Sequence, residues 1–230
     1  NSSLVAVHGR NEKKLGDFCK KFEVEAINEA NNLFTANHID AVYIATPHST
    51  HYDYCLSAIR NKKHILCEKP LTINHLESMV LLNLAKESNV FLMEAFMYRV
   101  HPQTANILDS LEVFKGSKEE IIIESSFGFT AELSESHRLR NPMLGGGAIL
   151  DVGCYPLSMS KLVAGRLQDI PFSDPISIEA SGRLDSTGVD LQSTATLAFS
   201  EKIKAIISCA IDEEYSNSLI VSSGDIKIVA

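Results

Sequence analysis

Residues 40–71 read DAVYIATPHSTHYDYCLSAIRNKKHILCEKPL. The run opens on a near-continuous apolar stretch, residues 41–45, of the kind that forms a strand buried on both faces of a parallel sheet. Residues 52–60 space their apolar side chains for a helix, and residues 64–67 form a second strand that Pro70 stops. Strand, helix and strand in so short a span imply a right-handed crossover and parallel pairing. Upstream, residues 4–7 form a strand that ends at Gly9. Asn11 then caps a helix through Phe22 that sets Leu15, Phe18, Cys19 and Phe22 on one face. A short helix covers residues 29–36. Downstream, Asn74 caps a helix to about Glu87, and residues 90–95 are a further strand. Residues 1–96 are therefore expected to form a doubly wound α/β domain.

The pattern changes after Glu94. Residues 102–112 read as a helix and 120–129 as a strand. A polar segment then leads to Gly145-Gly146-Gly147 and a helix over about 148–163. From Pro175 onward the chain is nearly all strand, at 176–183, 191–199, 203–211, 218–222 and 226–229. Turns as short as Ser200-Glu201-Lys202 favour antiparallel neighbours. The alternation at 193–197 fits a sheet with one solvated face. Residues 97–230 are expected to form an α+β domain with an open, mostly antiparallel sheet.

Composition narrows the function. Of 230 residues, 45% are hydrophobic and 22% charged, an ordinary globular balance. A formal net charge of -8 argues against nucleic-acid or anionic-membrane partners. No apolar run reaches the ~20 residues that span a bilayer. The five cysteines are odd in number and scattered, which points to a reducing, cytoplasmic setting. His48 and His51 are three apart without a third ligand at a recognisable spacing, so no metal site is expected. The chain opens directly into a strand with no initiator Met or leader-like segment, and is expected to begin inside a domain.

Ligands of doubly wound sheets bind outside the carboxyl ends of the strands. Gly9-Arg10, Thr46-Pro47, Glu68-Lys69-Pro70 and Glu94-Ala95 all occupy such ends. Arg10, with Lys13 and Lys14 beyond it, stands where an NAD site usually carries an acid for the ribose hydroxyls. A guanidinium there suits a 2′-phosphate and therefore NADP, although a solvated basic helix start has the same composition. The glycine fingerprint of dinucleotide sites is absent, as expected if the first strand–helix unit of roughly 30 residues lies upstream. Lys69 either occupies a surface turn or points into the cleft towards a substrate hydroxyl. Asp151 and Tyr155, four apart on one helix face, are either a dipole-favoured acid and a core tyrosine or a proton-transfer pair. His51 is expected beside the cofactor cleft, as a ribose or substrate contact.

Together these residues resemble the glucose–fructose oxidoreductase/inositol dehydrogenase (Gfo/Idh/MocA) family. The stretch at 40–71, with EKP at Glu68–Pro70, is similar to its first signature. GGGAILDVGCYPL is similar to its second, Asp-x-Gly-x-His, here with Tyr155 in place of His. ILCEKP, FLMEA and RLDSTGVD look like the dihydrodiol dehydrogenase branch. The resemblance implies a Rossmann-type domain and a second domain whose open sheet forms a homodimer. It implies oxidation of a small polyol or sugar, such as a trans-dihydrodiol or xylose, by NADP+. Lys69 and Tyr155 would be catalytic, Asp151 would orient the substrate or the tyrosine, and Arg10, Thr46, Pro47, His51, Glu68 and Lys69 would line the cofactor site. Measured against the family, the chain is expected to stop inside its last sheet. That branch has a tryptophan after Glu-Ala, and this chain has none; Tyr98, Phe127 and Phe129 are expected to replace part of the aromatic wall. Two alternatives remain: a non-catalytic NADP-binding regulator of the same fold, and a sugar oxidoreductase whose cofactor never leaves.

Overall fold

The computed structural model describes residues 2–134 and 137–230. The chain divides into two compact units, Asn1–Ala95 and Phe96–Ala230. The first holds strands β1 (Ala6–Val7), β2 (Glu25–Ala26), β3 (Ala41–Ile44), β4 (His64–Glu68) and β5 (Leu92–Ala95). Its helices are α1 (Glu12–Phe22), α2 (Ala30–Thr35), α3 (His51–Arg60) and α4 (His75–Glu87). Every pairing is parallel: β1 with β2, and β3–β4–β5 as a three-stranded sheet. Asn11 and Asn74 start α1 and α4 as expected, each accepting the backbone N–H three residues on. The core joins Ile44, Ile65 and Cys67 of the sheet to Cys55, Ala58 and Ile59 of α3 and Leu81 and Ala85 of α4.

Two features depart from the sequence reading. β2 was not foreseen, because two residues, Glu25-Ala26, are too short for a pattern to mark a strand. It exists through backbone bonds to the first strand, Glu25 N–H to Val5 O at 3.0 Å and Ile27 N–H to Val7 O at 2.9 Å. β3 is buried on one face rather than two: Val42 and Ile44 are in the core, whereas Tyr43 is 60% exposed. β1 and β3 are not hydrogen-bonded to one another among the described residues, and a cavity of about 410 Å³ borders both.

The second unit contains β6 (Ile121–Gly128), β7 (Ser177–Leu184), β8 (Asp190–Ala198), β9 (Ile203–Ala210), β10 (Leu219–Ser223) and β11 (Ile226–Val229). The sheet order is β11-β10-β6-β9-β8-β7, antiparallel except where β6 runs parallel to β9. Helices α5 (Pro102–Ser110) and α6 (Cys154–Leu167) supply the other layer. Ile107, Val163 and Ala164 pack on Ile123, Leu197, Ala205 and Val221. The opposite sheet face is open. One row across it runs Val229, Ile220, Glu124, Ile206, Thr196, Glu179, set by the strand registers. The helix expected from residue 148 is in fact two pieces: a π-turn, Ile149–Gly153, leads into α6.

Candidate active site

Parallel pairing of β3 with β4 puts Ile44 opposite Cys67, so Thr46-Pro47 and Lys69-Pro70 leave the same edge of the first unit's sheet. Four local interactions shape this edge. Thr50 Oγ1 lies 2.7 Å from Thr46 Oγ1 and 2.8 Å from Pro47 O, which tightens the turn into α3. The Tyr43 hydroxyl donates to Glu68 Oε1. That bond to a carboxylate, reinforced by burial and by the carboxylate's charge, pushes the phenol up to about 12. The Lys69–Pro70 peptide is cis, and Leu71 N–H donates to Glu94 Oε1 at 2.8 Å.

The fourth interaction belongs to His51. It is fully buried, with Nδ1 2.8 Å from Pro70 O and Nε2 2.9 Å from Thr46 O. Both ring nitrogens are taken up by the backbone. What His51 offers the edge is placement of two turns, not the direct contact with ribose or substrate that the sequence suggested.

Arg10 is exposed just past β1 and precedes the Asn11 cap of α1. Gly9 leaves open space, since a Cβ there would meet nothing within 4 Å. No carboxylate ends β1; His8 occupies that place, with Nδ1 2.9 Å from Ile27 O. An exposed guanidinium beside open backbone suits an anionic 2′-phosphate better than a ribose diol. This donor set fits NADP.

In the second unit, Tyr155 sits in the first turn of α6. Its ring centroid lies 5.3 Å from that of Phe127, 5.5 Å from Phe96 and 6.4 Å from Tyr98. With Tyr98 and Phe127 it borders a cavity of about 480 Å³ that Thr104, Ser125 and Asn217 also line. Phe129 does not share this wall; it packs instead with Leu139, Ala148 and Val152. The Tyr98 hydroxyl donates to Ser158 Oγ at 2.8 Å, so that ring is fixed by α6. Asp151 is buried in the π-turn, and Arg138 Nη2 reaches its Oδ1 at 3.3 Å.

Two residues place this helix, Asp190, which sequence reasoning missed, and Gly147, which it read only as the approach to the helix. Asp190, at the start of β8, accepts the Ile149 N–H at 2.7 Å and so caps the π-turn from outside it. Burial holds its carboxyl above the usual range. Gly147 has φ 106°, and a Cβ on it would lie 2.1 Å from Asp190 Oδ1, so only glycine lets the carboxylate reach the helix start. The glycine run was visible in the sequence, but its partner is about 40 residues away.

Comparison with known proteins bears on the family and the fold. Residues 1–96 match the profile of an oxidoreductase family with an NAD-binding Rossmann fold, and residues 120–226 match the Gfo/Idh/MocA C-terminal domain. The chain is 34% identical over 209 residues to a trans-1,2-dihydrobenzene-1,2-diol dehydrogenase of Xenopus tropicalis, covering 90% of this chain and 61% of that one. It is 31% identical over 208 residues to a D-xylose 1-dehydrogenase (NADP(+)) of Hypocrea jecorina, covering 85% and 53%. The chain thus spans about three-fifths or less of the length of these relatives. Among solved structures, KijD10, a 3-ketoreductase from Actinomadura kijaniata in complex with NADP and TDP-benzene, superposes with a TM-score of 0.80 at 24% identity, covering 99% of this chain and 75% of that one. A probable dehydrogenase from Thermotoga maritima gives 0.82 at 19% identity, covering 100% and 69%. These two likenesses concern the fold. With both of its units matched in order by profiles of one family, the chain belongs to the Gfo/Idh/MocA oxidoreductase family.

Proposed function

We propose that this chain carries the cofactor-binding and proton-transfer parts of an NADP-dependent dehydrogenase that oxidises a CH–OH group of a small cyclic polyol, either a trans-dihydrodiol or an aldose such as xylose. The observation that carries the reading is Tyr155: a phenol on the first turn of a helix, walled by Phe96, Tyr98 and Phe127 and bordering a cavity with hydroxyl and amide groups. An ordinary core tyrosine has no such opening.

Each residue then has a task. Tyr155 accepts the substrate hydroxyl proton during oxidation. Asp151, buried and held by Arg138, orients the substrate or the tyrosine. Lys69 hydrogen-bonds the reacting hydroxyl. Arg10 takes the 2′-phosphate, and the Thr46-Pro47 and Glu68-Lys69 turns line the nucleotide. NADP+ supplies the hydride acceptor when bound. A homodimer through the open sheet face belongs to the same proposal, and so does a cytoplasmic location.

The test is NADPH formation by the full-length protein with NADP+ or NAD+ against a panel of dihydrodiols and aldoses. Tyr155→Phe is expected to lower turnover by roughly 10²- to 10⁴-fold, the usual contribution of a general acid–base group, while cofactor affinity stays close to wild type. Near-normal turnover in the Phe variant would remove Tyr155 from the mechanism. Tight NADP(H) binding without turnover on any substrate would favour a regulator of the same fold.

A further inference from the structure

We propose that Ser125 and Asn217 form a subsite in the Tyr155 cavity for a second hydroxyl of the substrate, so that a cyclic vicinal diol is preferred there over the matching simple alcohol. The inference rests on the dehydrogenase reading only for Tyr155 as the group that meets the reacting hydroxyl; the polar groups of the cavity stand without it.

Alternate residues of β6 face the helix layer. Ile121 and Ile123 are buried there, and Ser125 continues their row at 8% exposed. Its neighbours across the sheet are Leu219 of β10 and Ile207 of β9, whose side chains neither donate nor accept. A hydroxyl in an apolar row is costly unless it finds a partner, because burial strips it of water. Among the described residues the Ser125 hydroxyl bonds to none, and what it borders is the cavity of about 480 Å³.

Other hydroxyls around this cavity are already committed. That of Thr104 donates to Tyr98 O at 2.6 Å, and that of Tyr98 donates to Ser158 Oγ at 2.8 Å. Asn217 is committed on one side only. Its Oδ1 accepts the Gly128 N–H at 2.8 Å, which fixes the amide and leaves its NH2 group without an acceptor among the described residues. The Ser126 N–H bonds Ser218 O at 3.1 Å, so the approach to β10 brings Asn217 alongside this end of β6. Asn217 also takes a left-handed φ of 50°, which Asn tolerates better than most side chains.

The pair supplies what a second hydroxyl needs. The Asn217 amide donates to its oxygen, and Ser125 Oγ accepts its proton. Tyr98 and Phe127 offer aromatic faces for the ring that carries it. A simple cyclic alcohol has nearly the same bulk but leaves both groups unpaired. Unpaired buried polar groups discriminate between ligands more sharply than apolar contact does.

The probes are trans-cyclohexane-1,2-diol and cyclohexanol, which differ by one hydroxyl. Their Kd values are measured by ligand-observed NMR titration of the full-length protein with NADPH, which cannot accept a hydride and so consumes neither probe. Wild type is expected to prefer the diol about 30-fold, the worth of two net neutral hydrogen bonds. Ser125→Ala should lower that preference about 5-fold, the worth of one. Asn217→Asp keeps an oxygen for the Gly128 N–H but removes the donor, and should lower it as much. Without ligand, Ser125→Ala should melt no lower than wild type, since it removes only an unpaired hydroxyl. A lower melting temperature with an unchanged preference would make Ser125 structural and overturn the subsite. No detectable binding of the diol, or equal affinities of wild type for the two probes, would overturn it as well. Turnover of the diol with NADP+ is followed separately. Intact selectivity without turnover strikes the dehydrogenase reading and leaves the subsite, whereas turnover without selectivity does the reverse.

Discussion

Asp185 shows how much a single side chain can organise. Its carboxylate accepts the Thr187 hydroxyl at 2.5 Å, the Thr187 amide at 2.6 Å and Arg140 Nε at 2.7 Å. The Thr187 hydroxyl, followed by Arg140, holds the carboxyl at about 2 against the ordinary value near 3.9. A lowered acid favours the folded state whenever it is ionised. The stabilisation is therefore fully present above about pH 4 and is lost as pH falls through about 2. Urea midpoints measured between neutrality and pH 2 should show this loss. Asp185→Asn should start lower at neutral pH and lose less on acidification, and a variant with the wild-type acid slope would show that other carboxylates set it. This pair was invisible in the sequence as an interaction, since Arg140 and Asp185 are 45 positions apart. The motif RLDSTGVD was recognisable only as a likeness. Its two acids prove to be Asp185, which anchors Arg140, and Asp190, which caps the start of the π-turn. Lys69, Asp151 and Tyr155 stood out as candidates at a strand end and at helical spacing, but only the family resemblance favoured them over ordinary surface and core roles.

At the level of elements, the local pattern was a good guide wherever a helix had its own cap or a strand its own alternation. Asn11 and Asn74 marked α1 and α4, and the alternation after Pro175 located β7 to β11. The failures were elements defined by partners. β2 is set by backbone pairing with β1, and the π-turn before α6 arises because Asp190 from β8 supplies its cap. Gly147 and Asp190 should therefore be energetically coupled. Gly147→Ala forces a non-glycine residue to φ 106° and drives a Cβ into the Asp190 carboxylate. We expect a loss of about 2 kcal/mol or more, from backbone strain of order 1–3 kcal/mol plus the displaced cap. Asp190→Ala alone should cost about 1 kcal/mol, as removal of a helix cap usually does. The double variant should then lose less than the sum, because the carboxylate that clashes is gone. Denaturant melts of the four proteins measure this. Strict additivity would mean that the carboxylate yields without cost and that Gly147 matters for its backbone angle alone.

For the whole molecule, the second unit's sheet raises the question of what covers its open face. The strands were legible from alternation, but the parallel β6–β9 pair was not, because 74 residues separate the end of one from the start of the other and no turn signals the pairing. That pair places Glu124 beside Ile206 in the middle of the open row. Ile206 is 42% exposed and Val229 65%, whereas the helix-covered residues Ala205 of β9 and Ile123 of β6 are fully buried. Val229, Ile220 and Ile206 lie on this face around Glu124, and Thr196, Glu179 and Lys204 add a polar rim of the kind interfaces carry. On the proposed homodimer, two copies of this face would meet about a two-fold axis, so each substitution counts twice. Ile206→Lys should leave the monomer fold intact, since the side chain is outside the core. It should weaken association by about 30-fold or more, equivalent to ~2 kcal/mol, by placing an unpaired ammonium where apolar contact is expected. Sedimentation equilibrium of the full-length protein decides the matter. A wild type that stays monomeric at all concentrations, or a lysine variant that dimerises as well as wild type, would free the sheet face from this role.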